Sequence, residues 1–140
     1  MKLELFSEAW AQQASEVLKA SEGYKNAAKT WEGAMVMTVQ ADASLGISEA
    51  RSVYFDLWHG DCREARAATA EDVASAPYVI SADAFTWRQV LEGKLEPIAG
   101  LLRGKLKLNK GNMAVLARYV LAAKELVHGA TQVPTIFPGE

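Results

Sequence analysis

The sequence predicts an α+β fold in which a helix is followed by a run of strands, and the strands by a run of helices that returns once to the sheet. Three observations carry that expectation. Apolar residues recur at spacings of three and four over residues 6–24 and again over residues 113–128. Between them, residues 51–58 alternate with period two. The chain of 140 residues is 50% apolar and 23% charged, enough for one core and too short for two comfortable domains, so residues 1–140 are read as one domain.

Each element has its own signal. Phe6, Trp10, Ala14, Val17, Ser21 and Tyr24 fall on one face of an opening helix, with Ser7 placed to cap it before Glu8. Residues 34–39, Ala-Met-Val-Met-Thr-Val, form a short apolar run after Gly33 and read as a strand. In the next strand Val53, Phe55 and Leu57 alternate with Tyr54, Asp56 and Trp58. Gly60-Asp61 supplies a two-residue turn, and residues 63–69 return. A fourth strand follows Pro77 over residues 78–81, so the first half reads as one helix and an antiparallel meander. Asp83 then caps a helix over residues 84–92 that stops at Gly93. Pro97 suits the first turn of a helix over residues 98–103, stopped by Gly104. Residues 105–108 alternate as a fifth strand, and Asn112 caps a last helix over residues 113–128, closed by Gly129. The tail from about residue 130, with Pro134 and Pro138, is expected to be irregular.

Composition excludes more than it selects. A formal net charge of −2 argues against a general nucleic-acid binder. No run approaches the roughly 20 apolar residues of a membrane span, and the acidic opening does not read as a signal peptide. The single cysteine, Cys62, cannot form an internal disulfide and suits a reducing compartment, so a cytoplasmic location is expected. No zinc-ligand spacing, phosphate-binding glycine loop or Gly-x-Ser-x-Gly elbow occurs, and neither metal nor cofactor is expected. Charge is unevenly spread. Residues 1–93 hold 8 Lys/Arg against 14 Asp/Glu, whereas residues 94–140 hold 7 against 3. The cations are densest from Arg103 through Lys105 and Lys107 to Lys110, either a solvated strand face or a rim for an anionic head group or membrane surface.

One internal echo stands out: Gly93-Lys94-Leu95 and Gly104-Lys105-Leu106, eleven residues apart. Each Gly can end a short helix in the left-handed conformation; the lysine then meets the helix C-terminus and the leucine re-enters the core. Around this echo the chain resembles the sterol carrier protein type 2 family of lipid-carrier domains. The resembling stretch runs from Ser81-Ala82-Asp83 through Gly93-Lys94-Leu95-Glu96-Pro97 and Gly104-Lys105-Leu106-Lys107-Leu108 to Gly111-Asn112-Met113. The long start, with Trp10, Tyr24 and Trp31-Glu32-Gly33, is similar to the stand-alone prokaryotic type. The resemblance implies a five-stranded, mostly antiparallel sheet covered by helices and enclosing an apolar tunnel. It also implies a non-enzymatic carrier of a fatty acid, acyl-CoA, sterol-like or isoprenoid lipid, with transient membrane contact and pairing with a second copy as further expectations.

A tunnel needs apolar side chains facing inward and a polar mouth. The candidates at suitable spacing are Phe85, Trp87, Val90 and Leu91 on one short helix, and Ile98, Leu101 and Leu102 on the next. Met113, Leu116, Ala117 and Val120 come from the last helix, and the adaptable Met35 and Met37 from the first strand. Arg103 and Lys105 are the candidates for the head group. Two rival readings remain. One is an interaction module of the same fold with a filled interior. The other is a cup-shaped isomerase, if the sheet face bearing Tyr54 and Asp56 lined the cavity and Asp56 served as base. A His59–Cys62 nucleophile pair is disfavoured, because a hairpin tip leaves it exposed with nothing to orient the base.

Overall fold

In a computed structural model that describes residues 2–139, the chain opens with β1 (Leu3–Glu4) and α1 (Glu8–Lys19). Ser7 caps α1 by accepting from the Trp10 backbone amide at 3.2 Å. The single opening helix expected over residues 6–24 is in fact two. The chain breaks at Ala20, and Ser21, expected on the helix face, instead caps α2 (Glu22–Ala27) through the Tyr24 amide. A serine competes for backbone hydrogen bonds, so it favours a cap over a helix interior.

Then come β2 (Glu32–Val39), a short 3-10 turn (Ala43–Leu45), β3 (Arg51–Trp58) and β4 (Asp61–Ala67), each strand antiparallel to the one before. The β3–β4 turn is His59-Gly60, one residue earlier than the sequence indicates. Both residues take positive φ, +51° and +83°, as a type I′ hairpin turn requires. The meander ends there. A helix absent from the sequence reading, α3 (Ala70–Ser75), carries the chain behind the sheet, so that β5 (Tyr78–Ala82) lies parallel to β2. A parallel neighbour needs such a crossover. Its signal was present: Thr69 and Asp72 form a reciprocal capping box.

The second half follows the sequence more closely. Asp83 caps α4 (Ala84–Leu91) and Glu96 caps α5 (Pro97–Leu102), with Pro97 at its start. Gly93 and Gly104 take φ of +77° and +76°, and Lys94 and Lys105 donate back to Gln89 and Gly100, so both helices end in the same way. Leu95 and Leu106 then enter the core. Because Leu106 is still bonded to Gly100, the last sheet strand, β6 (Lys107–Lys110), begins two residues later than expected. Asn112 caps α6 (Met113–Leu116), which passes through a 3-10 turn at Ala117–Tyr119 into α7 (Val120–Ala130). Gly129 does not close α7. It lies inside the helix against Val17 and Leu18 of α1, where its missing side chain allows close packing. The tail contributes β7 (Thr135–Ile136), parallel to β1.

The main sheet has the order β4-β3-β2-β5-β6, with three antiparallel pairings and one parallel pairing. Its front face, through Met37, Val39, Phe55, Leu57 and Ile80, packs against α1, α4, α5 and α7 in one large core. Its back face buries a smaller cluster, Val36 and Val79 with Ala76, next to α3.

Candidate functional site

The front core is not uniformly filled. Two apolar cavities lie between the sheet and α7, of about 40 Å³ and about 20 Å³. The first has Met35 of β2 and Leu57 of β3 on the sheet side. Tyr24, Trp31, Ile98 and Tyr119 stand around it, and Ala122, Ala123 and Leu126 of α7 complete its wall. The second has Met37 and Phe55 on the sheet side, Trp10 and Leu18 of α1 and Trp87 and Val90 of α4 around it, and Leu126 and Val127 of α7. Met35 and Met37 are two residues apart on β2, so the cavities sit one strand repeat apart, about 7 Å. Leu126 is the one described residue that lines both. No Asp, Glu, Lys or Arg lines either. A water needs roughly 10–15 Å³ and a drug-sized ligand about 300–1,000 Å³, so each cavity is a seed of a binding site rather than a finished one.

The polar tips around the cavities are tied off. Trp87 donates its indole N–H to the Thr38 carbonyl at 2.8 Å, Trp10 to Thr135 Oγ1 at 2.9 Å and Trp31 to the Gly33 carbonyl at 2.8 Å. Phe6 meets Trp10 and Trp87 edge-on, at 5.2 and 5.1 Å between ring centres. Tyr119 meets Trp31 edge-on at 5.0 Å and donates its hydroxyl to the Thr30 carbonyl at 3.2 Å, tying the α6–α7 bend to the start of β2. Burial pushes the Tyr24 phenol well above its usual range, so it stays neutral.

The structure sorts the residues proposed from the sequence into three groups. Met35, Ile98 and Leu116 line the first cavity, and Met37, Trp87, Val90 and Leu91 the second. Leu101, Met113 and Val120 are half-buried and pack on the core outside the cavity walls. Phe85, Leu102 and Ala117 are exposed; Phe85 falls off the stripe by which Ala84, Trp87, Val90 and Leu91 enter the core. Arg103 and Lys105 are exposed and form no ion pair among the described residues. Sequence reasoning missed Tyr24, Trp31, Leu57, Tyr119 and Leu126 as wall residues. For Leu126 the signal was its place with Ala122 and Ala123 on one helical stripe.

The rival chemistries do not assemble. Asp56 lies on the back face, away from both cavities, held by Arg63 through two hydrogen bonds of 3.1 and 3.0 Å. His59 is exposed, with Nε2 2.6 Å from Glu32 Oε2. Cys62, by contrast, is buried, and burial pushes its thiol up, which leaves it a poor nucleophile. Among the described residues no three His, Cys, Asp or Glu side chains converge as metal ligands, and no helix is long and apolar enough to cross a membrane.

Comparison with known proteins decides what this architecture is. The profile of the SCP-2 sterol transfer family matches residues 13–124, most of the chain. The chain belongs to the SCP-2 sterol transfer family. Lipid binding and transfer is therefore its function at the level of the family, and the mixed five-stranded sheet under helices is the SCP-2 fold. A crystal structure of sterol carrier protein 2 is 50% identical, covers 93% of this chain and 99% of its own, and superposes with a TM-score of 0.86. The solution structure of a conserved hypothetical protein from Thermus thermophilus is 49% identical, covers 95% and 92% of the two chains, and has the same TM-score of 0.86. More remote is palmitated sterol carrier protein 2 like 2 from Aedes aegypti, 15% identical over 84% of this chain and 89% of that one, with a TM-score of 0.56. That likeness is one of fold alone. A search of curated protein sequences gives no match. Within the SCP-2 fold, the front core between β2, β3 and α7 is where two apolar cavities adjoin without a charged wall.

Proposed function

We propose that this chain is a non-enzymatic lipid carrier that takes the hydrocarbon part of an amphipath into the front core, between the sheet and α7. The observation that carries the proposal is the pair of uncharged apolar cavities that share one wall residue, Leu126. Family membership gives the cavities their meaning, since small voids alone occur in many cores. Met35, Met37 and Leu126 are flexible enough to make room, and the thioethers suit a wall that adapts to its content. A dozen buried methylenes supply a gross driving force of about 10 kcal/mol. Ordering the chain and opening the core subtract much of it, so the expected affinity is micromolar. The polar end stays at the surface, where the unpaired Arg103 and Lys105 are available to a carboxylate or phosphate. The palmitate of the Aedes aegypti relative is an example of such a cargo in the same fold.

The test is titration of the whole chain with a dansyl-labelled fatty acid, followed by displacement with palmitate. Saturable, displaceable binding is expected. In Leu126→Trp, overfilling of the core by about 1–3 kcal/mol should weaken it by roughly tenfold or more. Absence of saturable binding would mean that the interior is a closed core and that the fold serves as an interaction module.

A further inference from the structure

We infer that Leu126 is a partition that selects a single flexible hydrocarbon chain over a rigid fused ring, a proposal that rests on the carrier reading above. The two cavities are arranged in line. The first is bounded partly by half-buried residues, Met35, Tyr119 and Ala123, and Tyr119 reaches the surface at Thr30. The second is walled by Phe6, Trp10 and Trp87, each at most 4% exposed, and shares Val90 and the half-buried Val127 with an open surface groove beside Glu96 and Lys124. Each cavity thus approaches the surface on its own side, and a cargo that fills both must pass Leu126. Leu126 stands between them, projecting from α7 over the floor where Met35 gives way to Met37.

This geometry sets a shape requirement. A polymethylene chain has the cross-section of the leucine it would push aside, and a change of the Leu126 rotamer joins the chambers for it. A fused ring is wider and cannot bend at the partition, so it would have to displace the α7 backbone further than a chain does. Interiors packed near crystal density resist that kind of displacement. Every wall residue at the partition is apolar, so a chain loses nothing in hydrogen bonding as it passes.

The experiment is a ladder of straight-chain acids from octanoate to stearate, measured by displacement of the dansyl-labelled fatty acid, with cholesterol measured in the same way. In the unmodified chain, affinity should rise with each added methylene, by less than the roughly fourfold of full transfer, and cholesterol should bind at least tenfold more weakly than stearate. In Leu126→Trp the ladder should flatten once one chamber is full. In Leu126→Ala, which guards against failure of the tryptophan variant to fold, the long acids should tighten and cholesterol should gain the most. Ladders of equal slope in all three proteins, or cholesterol bound as tightly as stearate in the unmodified chain, would overturn the partition and leave the carrier reading standing. Failure of every acid to displace the probe would overturn the carrier reading itself.

Discussion

The two faces of the sheet are held by different kinds of interaction. On the front, bulky side chains meet with space left over: Trp10, Trp87, Phe6, Phe55 and Leu126 line cavities, and no Asp, Glu, Lys or Arg among the described residues lines them. On the back, small side chains and directional contacts dominate. The Arg63 guanidinium lies 4.9 Å from the Trp58 ring centre while it binds Asp56 through two hydrogen bonds. Arg66 sits 4.4 Å from the Tyr54 ring centre, pairs with Glu64 at 3.0 Å and binds Asp72, the residue that also completes the α3 cap. Directional contacts fix strand register, whereas burial is nearly indifferent to how apolar groups are arranged. The back therefore makes the sheet a fixed floor, and the front leaves the helical roof room to change.

Substitutions should separate the two faces by the size and kind of their effects. The largest loss of stability is expected on the front, for Trp87→Ala. It removes a ring that is 4% exposed, together with its 2.8 Å hydrogen bond to the Thr38 carbonyl and its contact with Phe6. Chemical denaturation should report a loss of about 3–5 kcal/mol. A loss under about 1 kcal/mol would mean that the roof settles into the space, and that the front is more fluid than its packing implies.

A smaller effect is expected on the back, for Asp72→Ala, at about 1–2 kcal/mol for loss of a cap. The hydrogen bond from Arg66, aided by the Thr69 amide, holds the Asp72 carboxyl well below the usual carboxylate range. Because its folded value is lowered, its contribution is complete above the unfolded value of about 3.9 and fades as pH falls below that point. Denaturation curves measured into acid should therefore converge for the native and Asp72→Ala proteins, while fatty-acid affinity near neutral pH stays equal. A change in affinity would show that the two faces are coupled through the sheet.

The same contrast explains what could be read from the sequence. The period-two alternation of β3 and the echo of Gly93 and Gly104 report local rules, and both elements stand where the pattern puts them. Elements that depend on distant contacts were displaced or missed. Whether β5 pairs beside β4 or returns beside β2 depends on α3 packing Val73 and Ala76 against Val36 and Val79, which alternation alone does not encode. The break at Ser21 has a similar origin: an unbroken helix would carry Tyr24 past the cavity it now lines. For the site, the helical stripe found the buried face of α4, but the residues named on the last helix stopped at Val120, short of Ala122, Ala123 and Leu126, which border the cavities. Val90 and Leu126 have the same character in sequence, yet only Leu126 faces both cavities.

The smallest stability effect, and the sharpest test of the roof, is expected for Tyr119→Phe. Beside the first cavity the Tyr119 hydroxyl donates to the Thr30 carbonyl, with Thr30 Oγ1 also 3.0 Å from that hydroxyl. The tie is solvent-exposed, so removing it should cost only about 0.5–1 kcal/mol of global stability. It joins the α6–α7 bend to β2, however, and the helical roof cannot lift from the first cavity without breaking it. If the roof moves to admit cargo, that same energy is removed from the opening step, and dansyl-labelled fatty acid should enter and leave up to about fivefold faster. Uptake measured by stopped flow should accelerate while the equilibrium affinity stays nearly constant, because both directions pass through the same open state. Unchanged rates in Tyr119→Phe would place the entrance elsewhere on the front face.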